Sequence, residues 1–278
     1  MRVPARTAVV WREQGGTRIV RGRGYPEGDH AEWGSITKAA TARAVAGCVA
    51  EGLLAEDDAV GDLLDVPLPG VRVHDLLRHT AGLPSLHRPA RPWRDPTRGV
   101  DDLDLRRLAG LQEPTEVGRY RYSNLGYAFV GEILDRCCPN GWWGAVQDHV
   151  ATPYGLSSLT LAPGDERILL RGVGPGQRRP WRLAATRYRS AGGLWSGLED
   201  LALLGERAGV EGVPWALGSG WQTLGDGSAL VTGRTRDTDA CVLVHRATGD
   251  AVAVHSLVQR PGHAARVARM ATTVTAAG

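Results

Sequence analysis

Two residues in the first part of the chain, Ser35 and Lys38, have the side-chain types and the spacing of a nucleophile and its base. On a helix, residues three apart lie on the same face, so the serine hydroxyl and the lysine amine can come within hydrogen-bond distance. The first helical turn also offers unpaired backbone N–H groups, which favour an anionic oxygen. A serine beside a desolvated lysine therefore predicts an activated nucleophile. The alternative is an N-terminal serine beside a solvated lysine.

Lys38 is the only lysine of the chain, so the other 32 of the 33 basic residues are arginines. A GC-rich coding sequence accounts for most of that bias. Arginine stays protonated in proteins, whereas a desolvated lysine can lose its proton and act as a base. The single lysine thus stands where arginine could not do the expected chemistry.

A second pair, Tyr122 and Asn124, precedes a predicted helix over residues 127–136. The tyrosine can supply a phenol for proton transfer, and the asparagine an amide that binds substrate. Taken alone, the pair is equally consistent with a buried tyrosine and a helix-capping asparagine. Its significance comes from its combination with Ser35 and Lys38.

Composition bounds the class of protein. The chain has 278 residues, 42% of them hydrophobic, and a formal net charge of +3, which gives no strong electrostatic attraction for nucleic acid. No apolar run reaches the length of a membrane span, and no secretory signal is recognisable, so we expect no membrane association and a cytoplasmic location. The four cysteines lack zinc spacing, and we expect the adjacent pair Cys137 and Cys138 to be reduced thiols near a helix end, with a redox or metal role as the alternative. No metal or cofactor is expected.

Strands are predicted at both ends of the chain and helices mostly between them. The predicted strands are 7–11, 17–23, 218–223, 228–232, 240–245 and 251–258. The predicted helices are 36–54, 73–78, 127–136, 198–207 and 264–275, and residues 84–102 are expected to form an irregular surface loop. This order predicts an α+β fold, in which an antiparallel sheet (1–34 and 185–278) is flanked by helices and carries an inserted, mostly helical region (35–184). We expect the active site between the two regions.

Four segments carry a resemblance to a known family: Trp33–Lys38 (WGSITK), 51–60 (EGLLAEDDAV), 73–84 (VHDLLRHTAGLP) and 191–201 (AGGLWSGLEDL). With the Tyr122 and Asn124 pair, their order resembles the penicillin-recognising serine hydrolases. That family includes class C β-lactamases, D-alanyl-D-alanine carboxypeptidases of type B and related esterases. The resemblance extends from about residue 8 to 275. It implies the β-lactamase/transpeptidase-like fold, in agreement with the predicted order of elements.

The resemblance also implies roles for individual residues. Ser35 would be the acylated nucleophile, and Lys38 and Tyr122 would share the work of general base and acid, with the choice of base left open. Asn124 would hold a substrate carbonyl and help to position Lys38. The oxyanion hole would use the backbone N–H groups of Ser35 and of Arg234, the latter on the strand that also carries the substrate-binding residue Thr232.

Val231 departs from the family pattern, which has lysine or histidine at this position before Thr-Gly. Valine can neither bind a substrate carboxylate nor take part in a proton network, so we expect an inefficient β-lactamase. Arg234 or Arg236, expected on the same strand face as Thr232, could replace the missing charge and bind an anionic group. The alternative is that both arginines are solvated.

The expected function is that of a serine hydrolase or acyltransferase that forms an acyl-Ser35 intermediate on an ester, amide or thioester of a small molecule. The alternative is a catalytically inactive ligand-binding or sensing protein on the same fold. His79 and Thr80 are expected to support the wall of the site. Three tryptophans near the motifs could line an acyl pocket or pack in the core: Trp33, Trp195 and Trp221. The family's N-terminal helix is not recognisable, so an uncovered sheet face could form a homodimer.

Overall fold

The N-terminal and C-terminal parts of the chain together build one antiparallel sheet, as expected for an α+β fold. The computed structural model describes residues 2–13, 16–88, 95–112, 116–165, 167–169, 180–258 and 260–275. The sheet strands are β1 (Thr7–Glu13), β2 (Gly16–Arg21), β5 (Gln222–Thr223), β6 (Ala229–Arg234), β7 (Asp239–Val244) and β8 (Ala251–Ser256). Their order is β2-β1-β8-β7-β6-β5. The N-terminal hairpin is therefore completed by strands from the far end of the chain.

Helices fill the chain between these strands. They are α1 (Thr37–Ala50), α2 (Val60–Leu64), α3 (Val73–Leu77), α4 (Leu105–Gly110), α5 (Asn124–Cys137), α6 (Gly141–Val146), α7 (Thr152–Tyr154), α8 (Arg189–Gly192), α9 (Leu198–Val210) and α10 (His263–Thr275). A separate pair of two-residue strands, β3 (Ala31–Glu32) and β4 (Trp195–Ser196), joins the segment before α1 to the segment after α8. None of the described helices combines the length and apolarity needed to cross a bilayer.

The central strands of the sheet are buried on both faces because helices cover each face. Val242 and Ala253 belong to the main core, which includes the buried side of α9. Their neighbours Leu243 and Val252 point the opposite way, into a second core under α10. This alternation explains why β7 and β8 are buried along their whole length. The strands read as continuous apolar runs for that reason.

The face under α10 is the one that we expected to need a partner subunit. In the described residues before β1, positions 2–6, there is no helix. Val9 and Trp11 on this face are nevertheless buried, and the Arg18 guanidinium lies 3.8 Å from the Trp11 ring centre. These two side chains of the face are thus covered within one chain, and the homodimer stays a prediction.

Several predicted elements differ in length from the observed ones. The strand predicted over 218–223 shrinks to β5, because Gly218 and Gly220 adopt left-handed backbone angles (φ 80° and 81°) that an extended strand does not allow. The strand predicted to end at residue 232 continues to Arg234, where it still pairs with Asp239. Helix α6 lies where short helical stretches were expected up to about residue 156, but no bounds were predicted for it.

The predicted surface loop over 84–102 is irregular where it is described, but part of it is not at the surface. His87, Thr97 and Val100 are buried. His87 is held there by the Tyr188 hydroxyl, which accepts its backbone N–H at 2.9 Å. Residues 89–94 of this loop and residues 14–15, between β1 and β2, lie outside the described residues.

Candidate active site

Ser35, Lys38, Tyr122 and Asn124 meet at one point, as the sequence predicts. The Ser35 hydroxyl lies 2.7 Å from the Tyr122 hydroxyl and accepts a hydrogen bond from Lys38 Nζ at 3.0 Å. Lys38 Nζ also donates to Asn124 Oδ1 at 2.7 Å. Ser35 lies in a 3-10 turn, Gly34–Ile36, that runs directly into α1, rather than in the first turn of α1 itself. The hydroxyl of one residue thus contacts both candidate proton acceptors.

Lys38 is buried, and its third acceptor is the Ala191 carbonyl oxygen in α8, 2.6 Å from Nζ. All three acceptors are uncharged groups: a hydroxyl, an amide and a backbone carbonyl. Burial lowers the pKa of Lys38 below its ordinary value, and the nearby Tyr122 only partly opposes this shift. Burial therefore shifts the equilibrium towards the neutral amine, which is the form that can accept a proton. A neutral amine keeps two N–H groups, for Asn124 Oδ1 and the Ala191 carbonyl oxygen, and its lone pair can then accept the Ser35 hydroxyl proton.

Asn124 owes its position to the start of α5. Ser123 is the N-cap of this helix, and its side chain accepts the Gly126 backbone N–H at 2.8 Å. The Ser123 hydroxyl also donates to the Pro84 carbonyl oxygen at 2.7 Å, which fixes the helix start against the neighbouring loop. Because Asn124 is the first residue of α5, its amide projects into the site from this fixed end.

His79 supports Tyr122, as expected. Its ring lies 4.6 Å from the Tyr122 ring and 5.3 Å from the buried Tyr127 ring. Burial lowers the pKa of His79 to about 4, so the ring is neutral at physiological pH, and its Nδ1 accepts the Ser123 backbone N–H at 3.1 Å. His79 has a left-handed backbone (φ 59°), which is uncommon for a residue with a side chain. This bend orients the ring against Tyr122.

The turn that carries Ser35 touches strand β6 through backbone atoms. A Cβ on Gly233 would lie 1.8 Å from the Trp33 carbonyl oxygen, so only glycine fits there. A Cβ on Gly34 would lie 2.9 Å from the Arg234 nitrogen, and Gly34 has a positive φ of 52°. The turn Gly34–Ile36, here called the nucleophile turn, and strand β6 are therefore in direct backbone contact, with no room for a side chain at Gly34 or Gly233.

The hydrogen-bond pattern of β6 determines where the Arg234 N–H points. On the β7 side, Thr235 donates its backbone N–H to the Thr238 carbonyl oxygen. On the opposite side, the Ser228 carbonyl oxygen accepts the Leu224 backbone N–H from the segment after β5. In an antiparallel ladder, successive N–H groups point to opposite sides. The Arg234 N–H consequently points away from β7, to the sheet edge where Gly34 lies. β5 ends before it reaches this part of β6. That direction is the one required of the second oxyanion donor.

Thr232 and Arg234 are exposed on the same face of β6, whereas Val231 is buried. The expectation for Arg236 was wrong in placement: it lies beyond the strand, in the turn that leads to β7. The strand ends at Arg234 because the chain reverses between Thr235 and Thr238. Of the two candidate arginines, Arg234 is therefore the one beside Ser35.

Glu32 is a buried acid next to the site that the sequence analysis did not single out. Thr235 donates its hydroxyl to Glu32 Oε2 at 2.7 Å, which ties β3 to the end of β6. Burial raises the pKa of Glu32 to about 8. An acid within the apolar stretch from Ala31 to Trp33 was the available signal.

An apolar cavity of about 150 Å³ opens beside Ser35. Its walls come from separate loops, with α8 at one side. The apolar lining residues are Leu86, Pro96, Trp181, Leu183, Tyr188 and Ala191. The segment expected to be a surface loop thus supplies part of this wall.

A wider groove of about 710 Å³ lies on the other side of Ser35. Its lining is mixed and includes His79, Tyr120, Trp221, Thr232 and Arg234. Of the three tryptophans considered, Trp221 lines this groove, whereas Trp33 and Trp195 are buried. The Trp33 indole donates to Ser196 Oγ at 2.7 Å. Ser35 therefore sits between a small apolar cavity and a large open groove.

Comparisons with known proteins address the family and the fold. The family model that matches residues 3–273 is described as Beta-lactamase. The octameric penicillin-binding protein homologue from Pyrococcus abyssi is similar in structure, with a TM-score of 0.75 and 20% identity over 98% of this chain and 73% of that one. A class C beta lactamase from Rhodobacter sphaeroides gives a TM-score of 0.73 and 16% identity over 97% of this chain and 93% of that one.

A D-stereospecific amidohydrolase from Streptomyces sp. gives a TM-score of 0.66 and 19% identity over 91% of this chain and 89% of that one. At these identities the structural likeness establishes the fold. No curated protein matches the sequence.

Proposed function

This chain belongs to the beta-lactamase family, and from that membership we propose that it is a serine hydrolase or acyltransferase that works through an acyl-Ser35 intermediate. The observation that carries the proposal is the contact of the Ser35 hydroxyl with both Lys38 Nζ, at 3.0 Å, and the Tyr122 hydroxyl, at 2.7 Å. A serine with two proton-transfer partners at these distances meets the geometric requirement for nucleophilic catalysis. The hydrolases among the structural neighbours support the same reaction class.

In the acylation step, Ser35 Oγ attacks the substrate carbonyl carbon while its proton moves to Lys38 Nζ or to Tyr122. The carbonyl oxygen becomes an oxyanion, which the backbone N–H groups of Ser35 and Arg234 stabilise. The bond to the leaving oxygen, nitrogen or sulfur then breaks. The leaving group takes up a proton from the Tyr122 hydroxyl. Where Lys38 took the serine proton, it passes that proton on to Tyr122, and the ester of Ser35 remains.

Deacylation reverses these roles. A water molecule or another hydroxyl or amine acceptor loses its proton to the Lys38 and Tyr122 pair and attacks the acyl carbon. The bond between that carbon and Ser35 Oγ then breaks, and Oγ takes the proton back from the pair. The open groove is wide enough for water and for a larger acceptor alike. Hydrolysis and acyl transfer are therefore two outcomes of one mechanism, decided by what occupies the groove.

The two spaces beside Ser35 suggest what binds where. The apolar cavity of about 150 Å³ fits a short aliphatic acyl chain, and the groove fits the leaving group or the acceptor. Val231 places an apolar side chain where the family has a cation or an imidazole, so a β-lactam carboxylate loses a partner there. We expect turnover of short-chain esters, amides or thioesters to exceed turnover of β-lactams.

Labelling with a fluorophosphonate tests the proposal. We expect intact-mass spectrometry to detect one adduct per chain and peptide mapping to place it on Ser35. The Ser35→Ala variant should take up no label and should not hydrolyse p-nitrophenyl acetate or butyrate. Ser85→Ala is a matched control, since Ser85 lies near Asn124 (Asn124 Nδ2 to Ser85 Oγ, 3.3 Å) and has no role in the mechanism.

The second candidate is a ligand-binding or sensing protein that has lost catalysis, and Val231 is the observation that favours it. The same experiment separates the two functions. If the folded wild-type protein takes up no label and hydrolyses esters no faster than Ser35→Ala, the protein is a binding protein and not an enzyme.

A further inference from the structure

Two cysteines of the main core lie in contact at the far end of the helices that begin at the site. Cys48 Sγ lies 2.8 Å from Cys138 Sγ. Cys48 is in the last turn of α1, and Cys138 directly follows the last residue of α5. Both side chains are buried. A disulfide has a sulfur–sulfur distance of about 2.05 Å, so a movement of about 0.75 Å would bring these two atoms to bonding distance.

The neighbouring cysteines do not share this arrangement. Cys137 is only partly buried and is the last residue of α5. Cys241 is buried in β7 and belongs to the second core, under α10. Proximity therefore selects Cys48 and Cys138 from the four cysteines.

We propose that Cys48 and Cys138 form an intramolecular disulfide that joins the end of α1 to the end of α5. The oxidant is a low-molecular-weight disulfide of the glutathione class. One cysteine, as a thiolate, attacks that disulfide and releases one small thiol, which gives a mixed disulfide. The second cysteine thiolate then attacks the protein sulfur of the mixed disulfide and releases the other small thiol. The two cysteines are oxidised and the small disulfide is reduced to two thiols, which take up the two protons. This departs from the sequence expectation of reduced thiols.

Burial governs when the bond can form. The buried surroundings raise the pKa of both thiols, so that the thiolate, which is the reactive form, is scarce in the folded protein. Formation is accordingly fastest during folding, or while the end of α5 opens. Once formed, the bond is shielded from small reductants by the same burial.

The bond would act on stability rather than on chemistry. It closes a loop between residues 90 apart in sequence, which restricts the unfolded chain. Lys38 and Cys48 are ten residues apart on α1, so the bond lies about 15 Å along the helix from the site. We expect the oxidised protein to melt about 5–15 °C above the reduced protein, with unchanged ester hydrolysis at 25 °C.

Peptide mapping of the full chain tests the bond directly. The protein is unfolded and refolded with oxidised and reduced glutathione, and free thiols are then alkylated under denaturing conditions. We expect a linked pair of peptides that carries Cys48 and the Cys137–Cys138 segment, and alkylated Cys241. Alkylation of all four cysteines after this treatment would overturn the proposal.

Single variants decide which cysteine of the adjacent pair is bonded. Cys137→Ser is the matched control and should keep both the linked peptides and the increase in Tm, whereas Cys138→Ser and Cys48→Ala should lose both. A linked peptide that persists in Cys138→Ser and disappears in Cys137→Ser would assign the bond to Cys137 and contradict the proposal. Should a variant fail to fold, the wild-type linkage still decides between bond and no bond, and fragmentation of the linked peptide identifies the cysteine.

Discussion

Lys38 Nζ donates a hydrogen bond of 2.6 Å to the backbone carbonyl oxygen of Ala191. The two residues come from different helices, and the acceptor is a main-chain atom that substitution does not remove. The amine is thereby aimed at the Ser35 hydroxyl, which lies 3.0 Å away. Three acceptors surround Lys38 Nζ in this buried site. A substitution of Lys38 that changes the shape or the basicity of the side chain should therefore have a large effect on the rate of acylation.

Lys38→Arg is expected to remove nearly all acylation. Arginine stays protonated and cannot act as a base, so the rate of fluorophosphonate labelling should fall by about 10²–10⁴-fold. The measurement is the labelling rate followed by intact-mass spectrometry, with circular dichroism to establish folding. Arg43→Lys on the same helix is the control, because Arg43 pairs at the surface with Glu211 (3.0 Å) and should label at the wild-type rate. Wild-type labelling by a folded Lys38→Arg protein would contradict the role of the amine.

The rate should rise with pH and level off below the ordinary pKa of lysine. Burial lowers the pKa of Lys38, so the neutral amine becomes available at a lower pH than it does in water, and protonation removes it as the pH falls. We expect kcat/KM for p-nitrophenyl butyrate to show this limb between pH 5 and 10. The Tyr122→Phe variant then identifies the base. If the limb persists in a slower enzyme, Lys38 is the base, and loss of the limb would contradict its assignment to Lys38.

Glu32→Gln should make the protein more stable at high pH. The unfolded pKa is near 4.5 and the folded one is about 8, so between these values the unfolded state alone is ionised. Stability from this group is therefore complete below pH 4.5 and is lost as the pH rises to about 8, by about 1.4 kcal/mol per pH unit, and changes little above that pH. The Tm difference between Glu32→Gln and wild type should grow from pH 5 to 8.

The same pH series needs a control for charge alone. Glu27 is exposed, and Glu27→Gln removes one carboxylate without touching the buried network. Its Tm should stay parallel to that of the wild type across the range. A difference between Glu32→Gln and wild type that does not change with pH would mean that Glu32 is ionised in the folded protein.

Leu183→Ala should move the preferred acyl chain to a greater length. Leu183 lines the apolar cavity, and its truncation makes room for further methylene groups. For the first p-nitrophenyl ester that the wild type excludes, we expect kcat/KM to increase by about 10-fold. Leu217→Ala is the control, because Leu217 lines the groove on the other side of Ser35. An equal effect of both variants would show that the acyl chain does not enter the cavity.

Arg234→Ala should weaken the binding of an anionic leaving group. Arg234 is exposed on β6 and faces the groove, and alanine keeps the backbone N–H that points to the site. We expect the KM for an m-carboxyphenyl ester to rise by about 10-fold and the KM for the phenyl ester to stay constant. Arg236→Ala, in the turn beyond the strand, should change neither. If the KM for the m-carboxyphenyl ester is the same in wild type and in Arg234→Ala, Arg234 is solvated and does not bind the anionic group.

Sequence reasoning was most accurate where the contact is local. Ser35 and Lys38 are three residues apart, and the helical spacing alone predicts their hydrogen bond. The contact of Ser35 with Tyr122 spans 87 residues and was expected only through the family resemblance. The Glu32 contact with Thr235 spans 203 residues, and no local pattern encodes it. Contacts between residues so far apart in sequence depend on how the whole chain packs.

The same limit explains the errors in loops and short strands. Residues 84–88 and 95–102 are rich in proline and charge, which indicates a surface loop, yet Tyr188 draws His87 into the interior. Left-handed glycines shorten β5, although the composition around Trp221 favours a strand. In each case a tertiary contact or a single backbone angle overrides the local composition.

The glycine contacts between the nucleophile turn and β6 have a consequence for redesign. Gly34 and Gly233 hold the reactive serine against the strand through main-chain atoms, while the walls of the apolar cavity come from loops around Leu86, Pro96 and Leu183. The residues that position Ser35 and the residues that shape the apolar cavity thus belong to separate stretches of sequence. If the proposed function holds, a directed-evolution library at the wall positions should retain ester hydrolysis, and selection from a library at positions 34 and 233 should return glycine.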